Sequence, residues 1–379
     1  MKAKSIKGKS TEEIKTALDQ ATSEDFKPTL AIILLSKKED AEPIRSIFGK
    51  QDIAIFGVTA PQKFTEYGIT EEQIAVMLLD IKPDNFKIVL NDYEGSSAHE
   101  AGYKTGLAGK NAFKNPGFII SPVDWMVSPD GLIRGLTDAA GQDIMIAGGG
   151  AGDPADFSGV IFTREVLSTS GLLALILDQD KVSISGLAVS GWKPVGTTKK
   201  ITKSEGAWAL TIDYEPAMHV IQRFLGNDIV RDNSEGSGFV PTDLGYPLQF
   251  ERASGNAIMR PALFFNPANQ SVMIAGGVKE GEQFRFSLPP DFDVIDKVVE
   301  STKISKEKEM PDADVLLVFS CVGRLGTFGP LISTEIEGLA STWSKPMIGY
   351  FSLGEFGKLD EGRCEFQGTT VSWVALKEK

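Results

Sequence analysis

Histidine and cysteine are nearly absent from this 379-residue chain, which has two of each. The two cysteines cannot supply a thiolate zinc cage by themselves, and neither His99 nor His219 stands in metal-ligand spacing with another His or Cys. Metal- or histidine-dependent chemistry is therefore not expected, and no cofactor is. Cys321 and Cys364 fit a reducing compartment, where no disulfide is needed. Basic charge is also short: 39 Lys and Arg against 51 Asp and Glu give a net charge of −12. Such a surface repels phosphate backbones, so nucleic acid is not an expected partner. Long apolar runs are lacking too. Leu30 to Leu35 and Val315 to Phe319 fall far short of the roughly 20 residues that cross a bilayer. Met1 to Lys9 leads into polar Ser10 to Asp25 instead of the apolar core of an export signal. The expectation is a cytoplasmic protein with no membrane partner.

What is present is ordinary for a globular protein, 42% hydrophobic and 24% charged, at a length that suggests two or three domains. One pattern occurs three times. In the first unit, strand Leu30 to Leu35 precedes a helical stretch Ala41 to Gly49, then strand Ile53 to Phe56 ending in Gly57-Val58-Thr59-Ala60, with Ile74 to Leu79 returning. In the second, Phe118 to Ile120, helix Gly131 to Ala140 and strand Ile144 to Ala147 end in the glycine loop Gly148 to Gly152, and Leu172 to Leu177 returns. In the third, Val315 to Ser320, helix Leu331 to Trp343 and strand Met347 to Ser352 run into Gly354-Glu355, and Val371 to Leu376 returns. Strand, helix, strand implies a parallel pair with a right-handed crossover, and the returning strands imply antiparallel neighbours. The fold class expected is α/β, with mixed sheets covered by helices.

Residues 1–25 read as a helical appendage capped by Ser10 or Thr11. Between the second and third units, Val182 to Val189 and Ala207 to Ile212 look like hairpin segments. A helix follows from Pro216 to Leu225, stopped by Gly226. The polar stretch Asp232 to Gly238 is the best linker, which divides the chain into domains 26–231 and 239–379. In the second half, Ala262 to Phe265 and Val272 to Ile274 flank an Asn266-Pro267-Ala268-Asn269 turn, Gln283 to Leu288 is a strand, and Ser301 to Glu309 is a charged run.

The densest polar constellation lies in the third unit: Ser320-Cys321-Val322-Gly323-Arg324 at a strand end, Glu335 on the next helix, then Ser352, Gly354, Glu355 and Cys364. Ligands bind at strand ends of open α/β sheets, so these loops are expected to converge on a pocket. The competing reading makes Arg324 with Glu335 or Glu355 a structural ion pair and Cys321 a small buried hydrophobe. The glycine loop contributes Gly149, Gly150 and Asp153 as candidate ligand contacts. It is not a dinucleotide fingerprint, because a strand at Val160 to Phe162, not a helix, is expected after it.

The order and spacing of these segments resemble the FIST family of sensory modules, whose amino- and carboxy-terminal parts together cover nearly all of the chain. The resemblance is most specific in Phe319-Ser320-Cys321-Val322-Gly323-Arg324, Pro346 to Phe356, and Cys364 through Thr369. Ala147 to Asp153 resembles the family's Gly-Gly-Ser-Ala-like turn with Gly150 in the serine position. Gly191 to Gly196 with Ile201-Thr202 resembles its Gly-x-x-Pro-x-Gly run and following threonine. The loop Gly57-Val58-Thr59-Ala60-Pro61 departs from the family's Cys-Ser/Thr-Thr-Ala-Gly-Glu-like run. The resemblance implies intracellular sensing of a small molecule, an amino acid being the ligand proposed for the family, and output through a separate signalling protein. Arg324 would then meet the ligand carboxylate and Glu355 or Glu335 its ammonium. The rival readings are an enzyme with Cys321 as nucleophile beside Arg324, and a ligand-free adaptor.

Overall fold

The computed structural model describes residues 1–379 except 94–95, 125–126, 227–239, 243, 253–255, 289–290, 292 and 360–361. The expected linker Asp232 to Gly238, and with it the expected domain cut, lies outside the described residues. Each of the three expected units forms, and each has its own sheet. Leu30–Leu35 is buried at every position, as a strand covered on both faces must be. It pairs parallel with Ala54–Thr59 and antiparallel with Ile74–Asp80. Pro116–Val123 stands in the same relation to Ile146–Gly149 and Gly171–Asp178. Val315–Cys321 repeats it with Met347–Ser352 and Val371–Glu378. The crossover helices Ala41–Gly49, Pro129–Ala140 and Ile332–Trp343 are amphipathic; the first buries Ala41, Ile44 and Phe48, spaced three and four apart.

Residue-by-residue register shows how closely the units match. Ile33 faces Gly57, Ile120 faces Gly148 and Val318 faces Gly349 across the three parallel pairs. Outside each return strand lies one more strand: Lys2–Gly8, Phe86–Asp92 and Val182–Val189. On the other side each sheet is completed by a hairpin from a different unit. The hairpin Lys63–Thr65 and Gly68–Thr70 of the first unit joins the third sheet through Met347–Ser352. The hairpin Ile161–Phe162 and Leu167–Ser168 of the second joins the first through Ala54–Thr59. The hairpin Glu355–Lys358 and Cys364–Gln367 of the third joins the second through Ile146–Gly149. The exchange is cyclic, so the three sheets close into a pseudo-threefold ring.

The inner faces of all three sheets meet in one apolar core. A void of only about 10 Å³ remains there, lined by residues of all three sheets, among them Leu34, Phe56, Ile119, Leu317 and Tyr350. That is room for at most a single water. The outer faces are covered by helices in three separate clusters. A fourth, antiparallel sheet with its own core lies between strand Val182–Val189 and helix Asp293–Glu309 in sequence. It is tied to the second unit by buried Arg260, whose guanidinium meets both carboxylate oxygens of Asp130 at 2.8 and 2.9 Å.

Four expectations change. Within the segment read as a helical appendage, the helix Thr11–Ala21 forms with Ser10 as its cap, but Lys2–Gly8 precedes it as an edge strand. Its lysines face solvent and blunt the edge, which hid the alternation. Val182–Val189 is not half of a hairpin; Trp208–Ile212 pairs with Pro194–Glu205 instead. The charged run Ser301 to Glu309 is the end of helix Asp293–Glu309, whose Val294, Val298 and Thr302 are buried at four-residue intervals. The segment after Ser320-Cys321 is helix Val322–Phe328, not a loop.

The exchanged strands sit too close for side chains at two of the facing glycines. A Cβ on Gly57 would lie 2.2 Å from the Phe162 ring, and one on Gly349 would lie 2.3 Å from the Phe64 ring. Gly57→Ala is expected to destabilise the protein by about 1–3 kcal/mol through overpacking, and Phe162→Leu in the same chain to recover part of it. Urea unfolding of the single and double variants measures both.

Candidate functional site

Most of the residues singled out in the third unit come together, with those of the glycine loop, where the third unit's hairpin enters the second sheet. Glu355 opens that hairpin and pairs through its backbone with Gly149. Its side chain turns back into the third unit and is fully buried. Ser352 Oγ donates to Oε1 at 2.7 Å, and Thr370 donates to Oε2 through Oγ1 at 2.9 Å and through its amide at 3.3 Å. The Cys321 thiol also contacts this carboxyl. Among the described residues no Lys or Arg forms an ion pair with it. Burial outweighs the hydrogen bonds and pushes the Glu355 carboxyl up to about 8. At neutral pH it is mostly an uncharged acid.

The glycines allow the approach. A Cβ on Gly149 would lie 2.7 Å from Ser352 Cβ. The Gly150 amide donates to the Gly354 carbonyl at 2.9 Å, and the Leu353 amide donates to the Gly150 carbonyl at 3.0 Å. The glycine loop is thus a strand-to-strand seam, and strand Ile161–Phe162 follows it as expected. Asp153 stays apart; its carboxylate accepts from the Ala155 amide at 2.9 Å within its own loop.

Arg324 and Glu335 form the structural ion pair that the sequence left open. Both are fully buried, with Arg324 Nε donating to Glu335 Oε1 at 3.0 Å and a second contact from Nη2 to Oε2. Nη1 donates to the Ser190 carbonyl at 2.8 Å and to the Thr369 carbonyl at 3.3 Å, and the guanidinium lies over the rings of Trp192 and Phe328. So occupied, it fastens the return loop to the helices beside it.

Cys321 is placed against nucleophilic chemistry. Burial, and then the Glu355 charge, push its thiol well above the ordinary range. The nearby cation that would have lowered it is held by Glu335. Cys364 is half-buried, accepts from the Ile146 amide at 3.2 Å, and is pushed up to about 11 by burial.

Sequence reasoning missed Thr370, Tyr350, Ser121 and Gln367. Tyr350 donates to the Gly149 carbonyl at 2.6 Å and pairs with Ser121 Oγ at 2.9 Å. Gln367 Nε2, on the residue paired with Glu355, is buried without a hydrogen-bond partner, which marks unmet polar capacity at this seam; Ser320 Oγ is also unpartnered but sits between Phe351 and Val371 on the outer face. Thr369 has φ +59, a left-handed conformation that a β-branched residue rarely adopts. The internal repeat was the signal available: by register Thr369-Thr370 occupy the positions of Glu72-Gln73 and Ser170-Gly171 in the other units.

The FIST N domain matches residues 29–215, and the FIST C domain matches residues 217–358. The chain is a FIST protein. No curated protein is significantly similar to it. FIST domains are generally described as small-ligand sensory domains of signal transduction. In this FIST protein the buried carboxyl belongs to the C domain, but its hairpin completes a sheet whose other four strands lie in the N domain.

Two outcomes follow from the site's electrostatics. Glu355 holds its proton up to about 8 when folded and only to its ordinary 4.5 when unfolded. Its contribution to stability is therefore full below pH 4.5 and is lost as pH rises to about 8, by at most about 1.4 kcal/mol per unit. Urea unfolding from pH 5 to 9 should show this decline, flattened in Glu355→Gln. Maleimide titration should label Cys321 only after unfolding; rapid labelling in the native protein would reverse the reading of a sequestered thiol.

Proposed function

We propose that this FIST protein binds a small molecule carrying a cationic amine, an amino acid being the best candidate, at the seam around Glu355, and passes the event to a separate signalling protein. The observation that carries the reading is a fully buried carboxyl held by hydroxyl and amide donors, with no ion-pair partner among the described residues. A ligand ammonium supplies the missing charge, and the unpartnered Gln367 Nε2 supplies a further hydrogen bond. Arg324 supports the site from behind and does not grip the ligand carboxylate, because its guanidinium is already bound to Glu335, Ser190 and Thr369.

The seam is closed, so a ligand enters only as the hairpin Glu355–Lys358 and Cys364–Gln367 shifts. Binding and movement are then one equilibrium, and apparent affinity is reduced by the fraction of molecules that are open. That coupling converts occupancy into a change of surface. The same movement touches both FIST domains, since strand Glu355–Lys358 lies in one and its partner Ile146–Gly149 in the other.

The test is a thermal-shift screen against free amino acids, followed by calorimetry at pH 6.5 in two buffers of different ionisation enthalpy. An ammonium that binds Glu355 in place of its proton is expected to raise the melting temperature and to release up to one proton per site. Glu355→Gln should abolish both effects. A shift that survives Glu355→Gln, or no shift with any amino acid, contradicts the assignment.

A further inference from the structure

The pseudo-threefold register makes three sockets comparable. Counting three residues on from Ile33, Ile120 and Val318 in the facing pairs Ile33/Gly57, Ile120/Gly148 and Val318/Gly349, the equivalent position at the end of each first strand is Ser36, Val123 or Cys321. The residue that opens the hairpin crossing each seam is Lys63, Ile161 or Glu355. In the second unit's seam the two positions are both hydrocarbon, and both lie in the central core. The fold therefore closes such a socket without polar groups. At the first unit's seam it is closed instead by a fully buried lysine. Lys63 Nζ lies 2.5 Å from Ser36 Oγ and 3.3 Å from the Pro61 carbonyl oxygen.

We propose that Ser36 and Lys63 form a serine–lysine dyad for acyl transfer to and from a small ester or activated acyl compound. Ser36 is half-buried, whereas Lys63 is fully buried. No Asp or Glu among the described residues is within ion-pair distance of Lys63. Burial pulls its ammonium down to about 8, against the opposing charges of Asp40 and Glu72, the carboxylates that face it from the turn Lys38–Asp40 and from the loop before Ile74–Asp80. A lysine so placed is neutral in a substantial fraction of molecules at mildly alkaline pH and is fit to act as a base. Buried oxygens Gln62 Oε1, Glu72 Oε2 and Gln73 Oε1 have no hydrogen-bond partner, which favours a substrate with donor groups.

In the acylation step Ser36 Oγ bonds to the acyl carbon while its proton passes to neutral Lys63 Nζ. The tetrahedral intermediate expels the leaving alcohol, which takes that proton. Water then attacks the acyl-serine, giving its proton to Lys63, and Ser36 departs with that proton restored as the carboxylic acid is released. Two protons are relayed and returned, and no oxidant or reductant is needed.

The full chain is incubated with a fluorophosphonate and, separately, with p-nitrophenyl acetate, and adducts are mapped by peptide mass spectrometry. The expected result is a single fluorophosphonate adduct on Ser36, formed at a rate that rises through about pH 8. Ser36→Ala should remove it. Lys63→Ile, which installs the residue that the second unit uses at this position, should slow it at least tenfold and abolish the pH dependence while raising or preserving the melting temperature. Turnover of p-nitrophenyl acetate should fall in parallel. A folded wild-type chain with no adduct on Ser36, or one labelled equally fast in Lys63→Ile, overturns the proposal. Should Lys63→Ile fail to fold, Lys63→Met carries the same comparison.

Discussion

Backbone pairing between units is the constraint on which the rest of this structure depends. Each strand-helix-strand unit leaves one edge of its parallel pair open, and each open edge is closed by a hairpin from another unit. An unpaired edge would expose a row of amides and carbonyls, and the cyclic exchange satisfies all three at once. It also brings the inner faces of the three sheets together over one core, which no single unit could bury alone. The fourth sheet interrupts the third unit where the others run directly from outer strand to helix, and it keeps a core of its own.

Chemistry collects where the exchanged strands cross. The three seams have equivalent backbone geometry and unequal side chains: Ile161 with Val123, Lys63 with Ser36, and Glu355 with Cys321, Ser352 and Thr370. Hydrocarbon at the first of these shows that the geometry requires no polar group. Taking an ammonium or a carboxyl out of water is unfavourable unless it is well paired, and neither Lys63 nor Glu355 has an ion-pair partner among the described residues. Their shifts run in opposite directions from the same cause, burial lowering one and raising the other. Arg324 and Glu335 differ, because each meets the other and the pair fastens Thr369 and Ser190 in place.

The three units were legible because their central strands are continuous apolar runs and their helices carry an apolar stripe with clear stops. Phe86–Asp92 escaped notice because its apolar residues are only partly buried and interleave with Lys87 and Asn91. The end of helix Asp293–Glu309, Ser301 to Glu309, reads as a charged run because most of its surface is solvated. The convergence of Gly149, Gly150, Ser352, Gly354 and Glu355 was readable as strand ends meeting, but which sheet each hairpin joins was not. That pairing links residues about 200 apart for Glu355 and nearly 290 apart for Lys63, and nothing local encodes it. Lys63 itself, one lysine between Gln62 and Phe64, has no local pattern that marks it as buried.

Hydrogen exchange of the native protein tests the interlocked architecture most directly. The amides of Lys63–Thr65 are expected to exchange with the same opening free energy as those of Pro116–Val123 and Val315–Cys321, because that hairpin parts only when the ring breaks, whereas Glu355–Lys358 opens at a lower free energy to admit ligand. A lower-energy opening that frees both exchanged hairpins while the central strands of the three sheets stay protected would contradict the account.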